Sequence, residues 1–185
     1  KAKQLGIKTL NEAAFKRLIS GAAKKTTKEA DTPAETEAVD QKAKKLLLAF
    51  IKANAPFGNS WVDTFQGADK TLRADREVML AAMEHWTYTL EYAADTLKAD
   101  RGFMLAAVKQ AGAALYYADK SLQADREIVL EAVKNYGGAL EYASEELRAD
   151  REIVLEAVKA NEEAFEYASE KLRADRKFVL EAVES

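Results

Sequence analysis

Ala124-Asp125-Arg126-Glu127-Ile128-Val129-Leu130-Glu131-Ala132-Val133-Lys134 is one copy of a segment that returns along the chain every 25 residues. Asp75, Asp100, Asp125, Asp150 and Asp175 keep that spacing without insertion or loss, and each is followed by Arg. A fixed period of this length marks stacked supersecondary units rather than an enclosed catalytic domain.

The chemistry of the segment predicts a helix. Asp125 can accept the free amide hydrogens of a first turn, and Glu127 suits the positive end of the helix dipole. Ile128, Val129, Ala132 and Val133 are spaced for one helical face rather than for strict alternation. Lys109, Lys134 and Lys159 recur near the far end, where a cation is favoured. Gly112 and Gly137 read as helix stops adopting the left-handed conformation. A second, shorter helix is expected to follow, with Leu140, Ala143 and Leu147 on one face. Each unit then becomes a helical hairpin.

Columns of identical residues predict how hairpins meet. Leu80, Leu105, Leu130, Leu155 and Leu180 form one, and Ala82, Ala107, Ala132, Ala157 and Ala182 its neighbour. The second helix repeats Tyr92, Tyr117, Tyr142 and Tyr167, each followed by Ala, and then Leu97, Leu122, Leu147 and Leu172. Small Ala lets helix axes approach while the larger Leu fills the groove. The apolar side chains of one hairpin do not offset the entropy of ordering it, so burial must be shared across every junction.

The start of the chain differs. Residues 1–53 hold 12 Lys/Arg against 6 Asp/Glu, whereas 54–185 hold 16 against 25. Thr9-Leu10-Asn11-Glu12 reads as a capping box, and Thr32-Pro33-Ala34-Glu35 as a second with Pro at the first helical position. Residues 1–32 are therefore expected to form a short helix and polar linker. Residues 33–72 are expected to form a long helix plus a degenerate capping repeat, because Leu46 to Asn54 matches Ile153 to Asn161 in pattern and Asp63 to Leu72 matches the second-helix half. The tandem repeats fill 73–185. The last one stops after its first helix, so Phe178, Val179 and Val183 are expected to lack cover, as in a fragment of a longer protein.

The 48% hydrophobic and 32% charged content suits a folded soluble domain, and the apolar run Leu46–Ile51 is too short to span a bilayer. No signal or transit peptide is visible. With no Cys, a disulfide framework or thiolate metal site is excluded, which fits a cytosolic compartment.

Residues 147–158 (Leu-Arg-Ala-Asp-Arg-Glu-Ile-Val-Leu-Glu-Ala-Val), with Leu-Glu-Tyr-Ala-Ser-Glu-Glu-Leu at 140–147, resemble a family of tandem helical repeats known only as a domain of unknown function, found in bacteria and protists. The resemblance covers roughly 65–185. Thr87-Tyr88-Thr89 and Gly102 depart from its pattern. It implies the fold and carries no activity, cofactor or partner.

Three groups of side chains could carry chemistry. His85 has no orienting carboxylate or nucleophile in the pattern, and its column continues as Gln110, Asn135 and Ala160; it reads as a turn residue. Arg76, Arg101, Arg126, Arg151 and Arg176 are unfavourable to their own helix dipole and so call for partners. The structural choice is a bond to a neighbouring helix end, with Glu91, Glu141 and Glu166 as acceptors; the functional one is a guanidinium ladder for phosphates or acidic peptides. Tyr92, Tyr117, Tyr142 and Tyr167 leave the Leu face, either to pack on the next unit or to form a recognition ladder.

The sequence thus predicts an all-α, solenoid-like stack of 25-residue two-helix repeats behind an N-terminal helical segment. It predicts no enzyme, cofactor or metal, but a scaffold whose surface binds a protein or peptide through the Arg and Tyr columns. The alternatives are an accessory region of a larger enzyme or secreted effector, and anion or nucleic-acid binding through the Arg ladder.

Overall fold

Each Asp of the 25-residue period caps a helix. In the computed structural model, which describes residues 41, 44–49, 51 and 65–183, the leading helices span Arg76–Met83, Arg101–Gln110, Arg126–Asn135, Arg151–Ala160 and Arg176–Val183. Asp125 Oδ1 accepts from the backbone of Glu127 at 3.0 Å and Ile128 at 3.2 Å, and Asp150 does the same for Glu152 and Ile153 at 3.0 and 3.1 Å. The described residues contain helices and turns but no strand. The short helix and linker expected over 1–32 lie outside them, as does most of 33–64.

The second half of the unit is not one helix. It opens with a 3-10 helix (Thr87–Tyr92, Gly112–Tyr117, Gly137–Tyr142, Glu162–Tyr167), and a short α-turn follows the first, third and fourth of these at Asp95–Lys98, Glu145–Arg148 and Glu170–Ala174. Ala143 breaks the two with an extended backbone (φ −70°, ψ 157°), and Ser144 then caps the new turn through its hydroxyl. Ser144 and Ser169 each offer an oxygen to an amide three residues on and so cap the restarted turn, although the same break occurs at Ala94, which carries no capping side chain. The break also frees Ser144 N–H to bond the carbonyl of Gln123 in the preceding repeat at 2.9 Å. Ala94 to Arg73, Asp119 to Lys98 and Ser169 to Arg148 repeat this bond at 2.9, 2.9 and 2.8 Å, making a backbone rung between successive repeats.

Gly112 and Gly137 have a different role from the left-handed stop expected of them. The helices before them end on an extended residue, Ala111 (φ −150°) and Tyr136 (φ −148°). What requires Gly is closeness. A Cβ on Gly112 would overlap the Ala132 carbonyl oxygen and lie 2.8 Å from Tyr136 Cβ; one on Gly137 would overlap the Ala157 oxygen. The 3-10 helices that begin at Gly112 and Gly137 thus start against the end of the next repeat's leading helix. Asn135 fastens the same junction, accepting from Gly112 N–H at 2.8 Å and donating to Lys109 O at 3.2 Å.

The chain forms two compact units, Lys1–His85 with Tyr92–Ala94, and Trp86–Glu91 with Asp95–Ser185. In the larger unit the leading helices pack on one another in order, and so do the 3-10 helices. Its core is the side chains of Phe103, Ile128, Ile153 and Phe178, with Met104, Val129 and Val154 beside them and Leu115 and Leu140 from the 3-10 helices. The Ala column is fully buried, as close helix approach requires, with Ala107, Ala132 and Ala157 at 0% exposure. The Leu column is not the groove filler expected: Leu105, Leu130 and Leu155 are half-buried and Leu180 is 55% exposed. Positions 128, 129, 132 and 133 already point inward, which leaves position 130 at the edge of that face. Phe178, expected to lack cover, is fully buried, stacked 6.4 Å from Phe165 with the Arg151 guanidinium 4.8 Å from its ring centre; Val183 is the exposed one.

In the smaller unit Leu47, Ile51, Phe65, Val78, Met79 and Ala82 form the core. Lys44 occupies the register of Arg151 in the match of Leu46–Asn54 to Ile153–Asn161. Its Nζ reaches Asp75 at 2.8 Å and Glu77 at 3.0 Å.

Candidate interaction surface

Two edges of the larger unit present repeating polar chemistry. Along the first, Arg101, Arg126 and Arg151 each reach the capping Asp of the next leading helix. Arg101 Nε donates to Asp125 Oδ2 at 2.7 Å, and Nη2 to Glu127; Arg126 repeats this with Asp150 at 3.3 Å and with Glu152. Arg151 pairs with Asp175 at 2.9 Å and with Glu181 at 2.7 Å. The acceptors are thus the next repeat's cap and a Glu of the same helix, not Glu91, Glu141 or Glu166. The Asp carboxylate is already fixed by its own capping bonds, so the guanidinium meets a preset fork.

The charges respond accordingly. Hydrogen bonding to Asp125 and Glu127 holds Arg101 above its ordinary pKa, and hydrogen bonding to Arg101 depresses Asp125. Asp175 is depressed first by the Phe178 N–H and then by Arg151. Lys44 is raised by Asp75 and Glu77. Arg76, the first residue of its helix, is exposed.

The second edge is built on the 3-10 helices. With three residues per turn, burying Leu115 and Leu140 turns the two following positions outward. Those positions hold Tyr116 and Tyr117 in one repeat and Glu141 and Tyr142 in the next. Tyr116 packs edge-on against Tyr117 (4.8 Å between ring centres) and against Tyr142 of the next repeat (5.1 Å). Tyr117, Tyr142 and Tyr167 are half-buried, whereas Tyr88, Tyr116 and Tyr136 are 43, 58 and 47% exposed. Tyr92 is half-buried at the end of Thr87–Tyr92.

Carboxylates thread this edge. Burial and then Glu91 push the Tyr117 hydroxyl up; burial and then Glu141 do so for Tyr142. A hydrogen bond to Glu166 raises Tyr167 to about 12. Tyr136 lies over Gly138, where a Cβ would stand 2.6 Å from its ring. An open concavity of about 770 Å³ continues the edge at Glu162, Glu163, Phe165, Glu166 and Arg173. Sequence reasoning singled out the Tyr column but missed Tyr116 and Tyr136, which stand outside it. The available signal was Tyr116 replacing the Glu of the 91, 141 and 166 column.

His85 sits beside a backbone oxygen, with Nε2 3.1 Å from Ile51 O. It thereby occupies a helix-end position like that of Asn135 in its own column. Among the described residues no cluster of His, Asp and Glu could hold a metal ion, and no helix is long and apolar enough to cross a membrane.

No curated protein and no solved structure matches the chain. A family model described as a domain of unknown function (DUF4116) matches residues 75–123, 100–148 and 150–185, in tandem and in register with the capping Asp residues. With the same helical unit recurring along that span, the chain belongs to this family of repeats.

Proposed function

We propose that this chain is a non-enzymatic repeat scaffold that holds a protein or peptide partner on its Tyr-bearing edge. One observation carries the reading. Of the two repeating polar columns, the Arg column is engaged between repeats, whereas the Tyr column borders an aromatic surface on which Tyr116 and Tyr136 stay about half exposed. Exposed Tyr on a rigid backbone gives large amphipathic contact area at low entropic cost, which is why it is enriched in binding surfaces. Phosphate binding by the Arg column would require displacing two carboxylates from each guanidinium, which disfavours the anion-binding reading.

The test is selection of displayed peptides on the full chain, followed by hydrogen exchange of the bound state. Protection concentrated on Gly112–Tyr117 and Gly137–Tyr142 is expected. Protection confined to the leading helices, or substrate turnover by the purified chain, would overturn the proposal.

A further inference from the structure

The charge on the Tyr-bearing edge points to the chemistry of its partner, taking as given that this edge binds polypeptide. The four 3-10 helices read Thr-Tyr-Thr-Leu-Glu-Tyr, Gly-Ala-Ala-Leu-Tyr-Tyr, Gly-Gly-Ala-Leu-Glu-Tyr and Glu-Glu-Ala-Phe-Glu-Tyr. They contain Tyr and Glu but neither Lys nor Arg. The cations that approach from the adjoining turns spend donors on main chain: Lys98 Nζ on Glu91 O at 3.0 Å, and Arg148 Nε on Tyr167 O at 2.6 Å. Arg173 lines the concavity together with three Glu residues. The opposite situation holds on the Arg edge, where each cation faces two anions.

We propose that the Tyr-bearing edge of residues 86–91 and 95–185 docks an extended basic segment, with Arg or Lys side chains laid across Tyr116, Tyr136 and Tyr142 and paired with Glu141 and Glu166. An aromatic face attracts a cation, and a carboxylate beside it supplies the countercharge. Register follows from the repeat. Packed helices stand about 8–10 Å apart. A chain in the extended polyproline II form has three residues per turn and advances about 3.1 Å per residue, so every third side chain returns to the same face and meets an equivalent position on the next repeat. The preferred ligand therefore has a basic residue at every third position.

The probes are three short fluorescent peptides of equal length, added to the full chain and followed by anisotropy. One carries Arg at every third position, one has the same Arg residues contiguous, and one has Glu in place of Arg. The spaced-Arg peptide is expected to bind most tightly and to weaken as salt is added. Glu141→Gln with Glu166→Gln, and separately Tyr116→Ala, are expected to weaken it by about tenfold while helical content and cooperative melting are retained. Arg126→Gln is expected to leave its affinity unchanged. The inference is overturned if the Glu peptide binds as well, if the contiguous peptide matches the spaced one, or if the Gln pair has no effect. Peptides selected by display that protect the same 3-10 helices without enrichment in Arg or Lys would also sink it, while leaving the scaffold reading intact. Protection elsewhere would remove both.

Discussion

The leading-helix edge and the 3-10 edge of the larger unit repeat with the same period, yet one closes on itself and the other does not. On the first, the residue after each cap is Arg, and the next repeat places its own cap and a Glu within reach, so cation and anions neutralise each other at every junction. On the second, the repeating residues are Tyr and Glu, which share hydroxyl–carboxylate bonds but leave net negative charge and half-exposed rings. A column that supplies both signs of charge to its neighbour becomes part of the assembly. A column that supplies one sign has chemistry left for a partner.

Breaking the junction between the two edges is expected to have the largest effect. Gly137→Val would force a branched side chain into the Ala157 carbonyl, costing about 3 kcal/mol or more, or cooperativity itself, in urea unfolding. Thr87 and Glu162 hold this column in other repeats, so the sensitivity belongs to Gly112 and Gly137.

Next come paired truncations within one leading helix. Ile128→Ala empties a fully buried site and is expected to cost about 2–5 kcal/mol. Leu130→Ala, two residues away and half-buried, should cost under about 1.5 kcal/mol by the same melt. Equal costs would mean that the Leu column, not the Ile column, is the core.

The cap gives a smaller and pH-dependent effect. Asp125→Ala is expected to lose about 1 kcal/mol. Because Asp125 and Asp175 are depressed in the folded state, their stabilisation is complete above the unfolded carboxylate range and is lost as pH falls below about 4. Asp125→Asn should flatten that acid limb. Arg126→Gln should lower the Tm by only a few degrees at low salt and less at high salt, since its pairs are exposed.

The smallest effect sharpens the other edge. Tyr167, raised in the folded state, favours folding below the ordinary tyrosine value, and that contribution fades as pH climbs toward about 12. In an ultraviolet titration Glu166→Gln should bring this late ionisation back toward the range of the other tyrosines. A titration unmoved by the substitution would detach Glu166 from the Tyr edge.

Much of the fold was legible because helix signals are local. The Asp caps, the Ile–Val–Ala–Val face and the Ala column can be read from adjacent residues, and each is found in the structure as expected. The break after Tyr142 was less legible: Leu140, Ala143 and Leu147 satisfy a continuous helical face, and only Ser144-Glu145-Glu146, a capper followed by acids, signals the restart. Of the candidate site, the sequence supplied both columns but not the difference between them.

By itself, the sequence determined the period, the capped leading helices and the need for stacking, since these follow from short-range hydrogen bonding and apolar spacing. Only the tertiary structure decided that Gly112 and Gly137 serve close approach, that Arg meets the following cap, and that Tyr116 and Tyr136 join an exposed aromatic edge. Those outcomes depend on distances between residues some 20 to 26 positions apart, set by how one repeat lies on the next.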